Sequence, residues 1–168
     1  TIKIGVIQPL TGPIAFGGNC AMKGGKMAVQ QINAAGGLEV NGENYKVELI
    51  IEDDEATPKK GASAAMKLIS RDKVKVIMGS FTSSSTLAAS KIADRQGVPI
   101  ISPLSSSPVL TRSGFDYFFR GRVTTSYNAP LAATYYDSLG YDKYALLAIN
   151  DDWGHGDTRI FPELWKEL

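Results

Sequence analysis

The chain has 168 residues, with 18 basic and 17 acidic side chains and a formal charge of +1. That balance offers no electrostatic basis for binding nucleic acid or an anionic membrane surface, and the length holds one domain with a proper core but not two complete ones. The single cysteine, Cys20, lacks a disulfide or metal-site partner and is expected to pack as a small residue. No apolar run approaches the roughly 18 residues that span a bilayer. With no basic-then-apolar leader before Thr1, the chain reads as a mature or trimmed form.

Ile2 to Ile7 reads as a first buried strand, after which Pro9, Gly12, Pro13, Gly17 and Gly18 break the pattern into a loop. A helix is predicted from about Asn19 to Ala35, with Gly25, Ala28, Val29 and Ile32 on its inner face and Gly36-Gly37 as its stop. Tyr45 to Ile51 predicts a second strand, closed by a solvated acidic turn, Glu52 to Glu55. Thr57 and Pro58 supply the N-cap and first position of a second helix, with Ala62, Ala65, Met66 and Ile69 facing inward. Val74 to Met78 predicts a third strand, followed by a helix to about Gln96 and a fourth strand at Ile100-Ile101. Tyr117 to Arg122 reads as a fifth strand or a connector. Ser126 is placed as the cap of a helix through Leu139, then come a strand, Lys143 to Ile149, a loop from Asn150 to Gly156, and a helix from near Asp157.

Short buried strands alternating with helices predict an α/β chain, a doubly wound parallel sheet covered on both faces. Ligands of such sheets bind beyond the strands' carboxyl ends. Three loops rich in Gly, Ser, Thr and Pro leave those ends, Pro9 to Gly18, Gly79 to Ser85 and Ser102 to Pro108, and are expected at one sheet edge. Among them Gly79-Ser80-Phe81-Thr82-Ser83-Ser84-Ser85-Thr86 turns from strand into helix. Free helix N–H groups and hydroxyls there suit a small carboxylate, although Ser83 or Ser84 serving only as an N-cap explains the same residues.

Catalytic patterns are lacking. No phosphate-binding loop, dinucleotide fingerprint or Gly-x-Ser-x-Gly elbow occurs, and the lone His155 is read as a surface residue. Asp53 and Asp54 stand after the second strand, not the first, which speaks against a metal or phosphoryl-accepting pair. No enzyme activity, metal or cofactor is therefore expected. Trp153 is either a rim residue or the wall of a cleft.

In this order and spacing the chain resembles the leucine/isoleucine/valine-binding protein family of ABC-transporter solute receptors, the type I periplasmic binding fold. The resemblance rests on Ile4-Gly5-Val6 with Leu10-Thr11-Gly12-Pro13, and on Gly24 with Ile32-Asn33-Ala34-Ala35-Gly36-Gly37. It continues through Asp53-Asp54 with Pro58, Ser83 to Thr86, and Pro99 with Ser102-Pro103. It implies a first lobe over residues 1–121, then a hinge crossing and only the start of a second similar lobe over residues 122–168.

The resemblance also implies that the lobes close on an aliphatic or branched-chain amino acid or a related carboxylate, for delivery to a membrane permease. Ser83 would hold the α-carboxylate, the Leu104 carbonyl the α-ammonium, and Ser106 both. Phe81 and Trp153 would line the side-chain space. Gly17, where relatives often carry Tyr, leaves that space roomier or lets Phe16 substitute. Ala56 and Thr82 stand where some relatives have a disulfide. Arg120 and Arg122 are read as structural. A monomer is implied, in the periplasm or on a lipoprotein anchor outside the cell, and a sensor for amides, urea or aromatic acids is the alternative use of the same fold.

Overall fold

Runs of β-branched residues and Ala-rich stretches alternate along the chain, and each takes the conformation its side chains favour. The computed structural model describes residues 1–141 and 143–167, without the side chains of residues 157 and 167. Asp142 and Leu168, within the expected second unit, lie outside the described residues. Five strands form one parallel sheet: β1 (Ile2–Gln8), β4 (Val47–Asp53), β5 (Val76–Gly79), β6 (Ile100–Ser102) and β7 (Phe118–Arg120), in the order β4-β1-β5-β6-β7. The central strands β1, β5 and β6 are neighbours, so the three loops that leave them share one edge, as expected.

Period-two alternation divides the sheet. Ile7, Ile77 and Ile100 are fully buried against Ala64, Ala65 and Leu68 of α2 (Pro58–Ser70) and Ala89 and Ala93 of α3 (Ser83–Arg95). Burying each Ile or Leu contributes roughly 1.5–3 kcal/mol. Thr57 caps α2 through its hydroxyl, which accepts from Lys60 N–H at 3.4 Å, with Pro58 at the first position. The inner face of α2 is Gly61, Ala64, Ala65 and Leu68; Met66, expected inside, is exposed because it falls between these rows. Ile101 and Phe119, paired in register, remain exposed, so helices cover the sheet only in part.

Gly61 lets α2 and α3 touch. A Cβ there would lie 2.2 Å from Ser85 Oγ and 2.9 Å from Ser85 O. Gly61→Ala is expected to destabilise the fold by about 1–3 kcal/mol, the scale of an overpacked core. A urea midpoint unchanged by that substitution would show that the helices separate freely.

Several boundaries differ from expectation. The first helix, α1 (Ala15–Ala34), begins four residues before Asn19 and so includes Phe16, Gly17 and Gly18. Gly18 is not a breaker: a Cβ at Gly18 would lie 2.1 Å from the Pro9 carbonyl oxygen, so glycine is what lets the helix start against that loop. Ala28 and Cys20, expected to be packed, are exposed on α1. Asn33 fastens the helix end to β4, donating to Val47 O at 2.9 Å and accepting from Val47 N–H at 2.8 Å. The second predicted strand begins with a separate hairpin, β2 (Leu38–Val40) and β3 (Glu43–Tyr45), turned at Asn41-Gly42, both with positive φ as a two-residue hairpin turn requires.

Beyond a short helix, α4 (Val109–Arg112), and β7, the chain forms α5 (Thr125–Ser138) and α6 (Asp152–Glu167). Thr124, not Ser126, is the residue before α5, which begins two positions earlier than a cap at Ser126 would allow. Lys143 to Ile149 is not a strand. A strand is completed by a neighbour for its N–H and C=O groups, and the two sheets of the described residues do not include this segment; Tyr144 stacks on Trp165 of α6 at 4.1 Å. The last helix starts at Asp152 instead of Asp157, since Asp151 Oδ1 accepts from the N–H groups of Trp153 and Gly154, both at 2.9 Å, and thereby caps it. Among the described residues no helix is long and apolar enough to cross a membrane.

Candidate functional site

At the carboxyl end of β4, two carboxylates organise the loops around the sheet edge. Asp53 accepts from Leu10 N–H at 2.9 Å, from the Thr11 hydroxyl at 2.6 Å and from Glu55 N–H at 2.9 Å, tying the β1 loop to β4. Partial burial pushes its carboxyl up, but the Thr11 hydroxyl and the surrounding backbone N–H groups outweigh that and hold it below its ordinary value. Asp54, expected in a solvated acidic turn, is instead fully buried. Its carboxylate accepts from Ala56 N–H at 3.0 Å and from the hydroxyls of Ser80 and Ser85. Such burial is stable because three donors replace the water it lost. Among the described residues no three His, Cys, Asp or Glu side chains gather to hold a metal ion.

From Asp54 the hydrogen bonds continue across the turn. Thr86 Oγ1 accepts from Ser80 N–H at 2.8 Å and lies 2.7 Å from Ser105 Oγ, which donates to the Ser80 carbonyl at 3.0 Å. Arg120 donates to the carbonyls of Ser105 at 2.6 Å and Ser107 at 2.7 Å, fixing the loop after β6. Burial, and after it the charge of Arg122, lowers the guanidinium pKa of Arg120 from its ordinary value. The start of α3 and the β6 loop are thus joined by buried hydrogen bonds, while Thr82 Oγ1, Ser107 Oγ and Arg120 Nε have no partner among the described residues.

Between them lies a cleft of about 210 Å³, bordered by Phe81, Thr82, Ser83, Leu104, Ser105, Ser106, Arg122, Asp151 and Trp153. Five residues singled out from the sequence therefore meet: Phe81, Ser83, Leu104, Ser106 and Trp153. Ser83 is 3% exposed, and its Oγ accepts from Ser107 N–H at 3.3 Å, which leaves the hydroxyl proton to donate elsewhere. Trp153, 45% exposed, stands in the first turn of α6 as part of the cleft wall.

Phe16 and Gly17 do not border this cleft, and Phe16 is 85% exposed. The space over Gly17 is not open: a Cβ there would lie 2.6 Å from the Phe81 ring, so Phe81 fills it. His155 is exposed, as expected. Sequence reasoning missed Asp54, which spacing alone did not distinguish from a surface acid. It also missed Arg122, which borders the cleft while donating to the Leu104 carbonyl at 3.0 Å. An arginine two residues past another at the end of the last strand, Arg120-Gly121-Arg122, was the available signal.

The chain matches the periplasmic binding protein family over residues 1–168. It is 36% identical over 157 residues to the leucine-, isoleucine-, valine-, threonine- and alanine-binding protein of Pseudomonas aeruginosa, covering 93% of this chain and 41% of that protein. A branched-chain amino acid transporter substrate binding protein from Streptococcus pneumoniae, solved with isoleucine, superposes with a TM-score of 0.87 at 34% identity, covering 97% of this chain and 46% of that one. A solute binding protein of an ABC transporter from Rhodopseudomonas palustris, solved with 3,4-dihydroxybenzoic acid, gives 0.87 at 27% identity, covering 99% and 44%. The chain thus spans less than half the length of these relatives. With its sheet order, its Ser-lined strand ends and this match along its whole length, the chain belongs to the periplasmic binding protein family, alongside the leucine/isoleucine/valine-binding proteins.

Proposed function

We propose that this chain supplies the head-group wall of a two-lobed solute receptor that holds the carboxylate of a small ligand and passes it to an ABC-transporter permease. One observation carries the reading: the buried Ser83 hydroxyl, with its proton free to donate, sits at the start of α3 on the border of the cleft. The first N–H groups of a helix have no intrahelical acceptor and carry the positive end of its dipole, so carboxylate, hydroxyl and N–H complement one another. Ser106 would be a second hydroxyl contact, Leu104 offers a carbonyl, and Phe81 and Trp153 form apolar walls. Phe16 and Gly17 act through Phe81 or from the rim.

In this reading residues 1–121 are one lobe and the chain crosses a hinge near residues 122–125. Closure removes water from the head group and strengthens its hydrogen bonds. The receptor works as a monomer without catalysis or cofactor, in the periplasm or on a lipoprotein anchor. The relatives' names support amino acids as ligands in two cases and an aromatic acid in the third.

A thermal-shift screen of the full-length protein against aliphatic amino acids, 2-oxo and aromatic carboxylates, and neutral amides tests the reading. A bound carboxylate at a hundred times its Kd should add about 2.7 kcal/mol, a shift of a few degrees. Shifts confined to neutral amides, or none with any carboxylate, would remove it.

A further inference from the structure

A ligand ammonium docking on the Leu104 carbonyl would meet a cation already there. Arg122 Nη1 donates to that oxygen at 3.0 Å, and both residues border the cleft with Ser83 and Ser106. Arginine is charged at every working pH. Among the described residues no carboxylate forms an ion pair with Arg122, and its Nε and Nη2 make no hydrogen bond. Asp151 borders the same cleft but is not paired with it; its Oδ1 accepts from the first N–H groups of α6. Arg120 beside it donates to the carbonyls of Ser105 and Ser107 and lies over the Phe118 ring, 5.8 Å from its centroid, and among the described residues no carboxylate pairs with it either. The wall facing Ser83 therefore carries guanidinium charge that carbonyl dipoles answer in part and that no ion pair among the described residues neutralises.

We propose that Arg122 is a specificity-determining residue that stands on the Leu104 carbonyl in place of a ligand's α-ammonium, so that the site selects small carboxylates lacking that ammonium over α-amino acids. The inference rests on the reading that a carboxylate binds at Ser83. With the carboxylate on the α3 N–H groups and the Ser83 hydroxyl, the unengaged Nε and Nη2 of Arg122 are available to its second oxygen or to an adjacent 2-oxo group. Planar guanidinium and planar carboxylate match as a fork. The carbonyl's second lone pair could still accept an α-ammonium, but only with that ammonium beside a permanent cation, and like charges at such range repel, the more so once closure removes water.

Titration calorimetry of the full-length protein with isoleucine and its 2-oxo acid, 3-methyl-2-oxopentanoate, isolates the ammonium because the side chain is the same; benzoate serves as a third probe. The parent protein is expected to bind at least one of the two acids more tightly than isoleucine by about tenfold or more. Arg122→Ala should lower acid affinity by about tenfold or more without lowering that of isoleucine, and Arg122→Lys, which keeps the charge but not the fork, should fall between. The ratio of acid to amino-acid affinity is the decisive readout, since a merely structural loss would weaken both alike. Isoleucine bound as tightly as both acids by the parent, or a ratio unmoved by Arg122→Ala, overturns the proposal. Failure of the parent to bind any of the three overturns the head-group reading together with it, whereas tight isoleucine binding that Ser83→Ala weakens leaves that reading standing and removes only the role of Arg122.

Discussion

Asp54→Ala is expected to lower the stability of the folded protein by about 3–5 kcal/mol, because it deletes a buried acceptor that serves three donors at once. The hydroxyls of Ser80 and Ser85 and the N–H of Ala56 would each lose their partner in a region that water does not reach. The effect should exceed that of removing any surface acid such as Glu55, whose pairing with Lys60 is exposed. Asp54→Asn, which retains one acceptor oxygen, should lose less than the alanine variant. Urea unfolding followed by circular dichroism measures both, and a midpoint for Asp54→Ala within about 0.5 kcal/mol of the parent, the usual range for surface substitutions, would deny the carboxylate its organising role. Ser80 and Ser85 stand on either side of Ser83, so the same substitution should also loosen the cleft.

Ser83→Ala is expected to weaken carboxylate binding by about 1.5–3 kcal/mol, roughly ten- to hundredfold, the scale of a hydrogen bond to a charged group. Two losses combine: the hydroxyl proton no longer reaches the ligand, and the N–H of Ser107 loses its acceptor on α3. Because Ser83 takes no part in the Asp54 network, stability should fall much less than in Asp54→Ala. Calorimetric titration with whichever carboxylate gives a thermal shift makes the comparison, and an alanine variant that binds as tightly as the parent removes Ser83 from the site.

The alternation of short β-branched runs with Ala-rich helices determined the class of sheet, the order of four of its strands along the chain and the edge at which their polar loops gather; residues 117–122 suited a strand or a connector equally. Those are consequences of local side-chain patterns, in which period-two burial makes a strand and roughly 3.6-residue burial makes a helix. The Thr57-Pro58 start of α2 was equally legible, because a cap depends on neighbours within one turn. The Asn41-Gly42 turn of the β2-β3 hairpin is an equally local signal, since both residues tolerate the positive φ it requires. The tertiary structure alone decided what the charged residues do. Asp54 meets Ser80 and Ser85 across 26 and 31 residues, and Arg122 meets Leu104 across 18, separations at which no local pattern distinguishes a solvated charge from a buried or cleft-lining one. The same reason accounts for residues 143–149, whose composition suits a strand: strand formation is a pairing between segments distant in sequence, and whether a partner lies alongside is a property of the folded chain, not of the residues themselves.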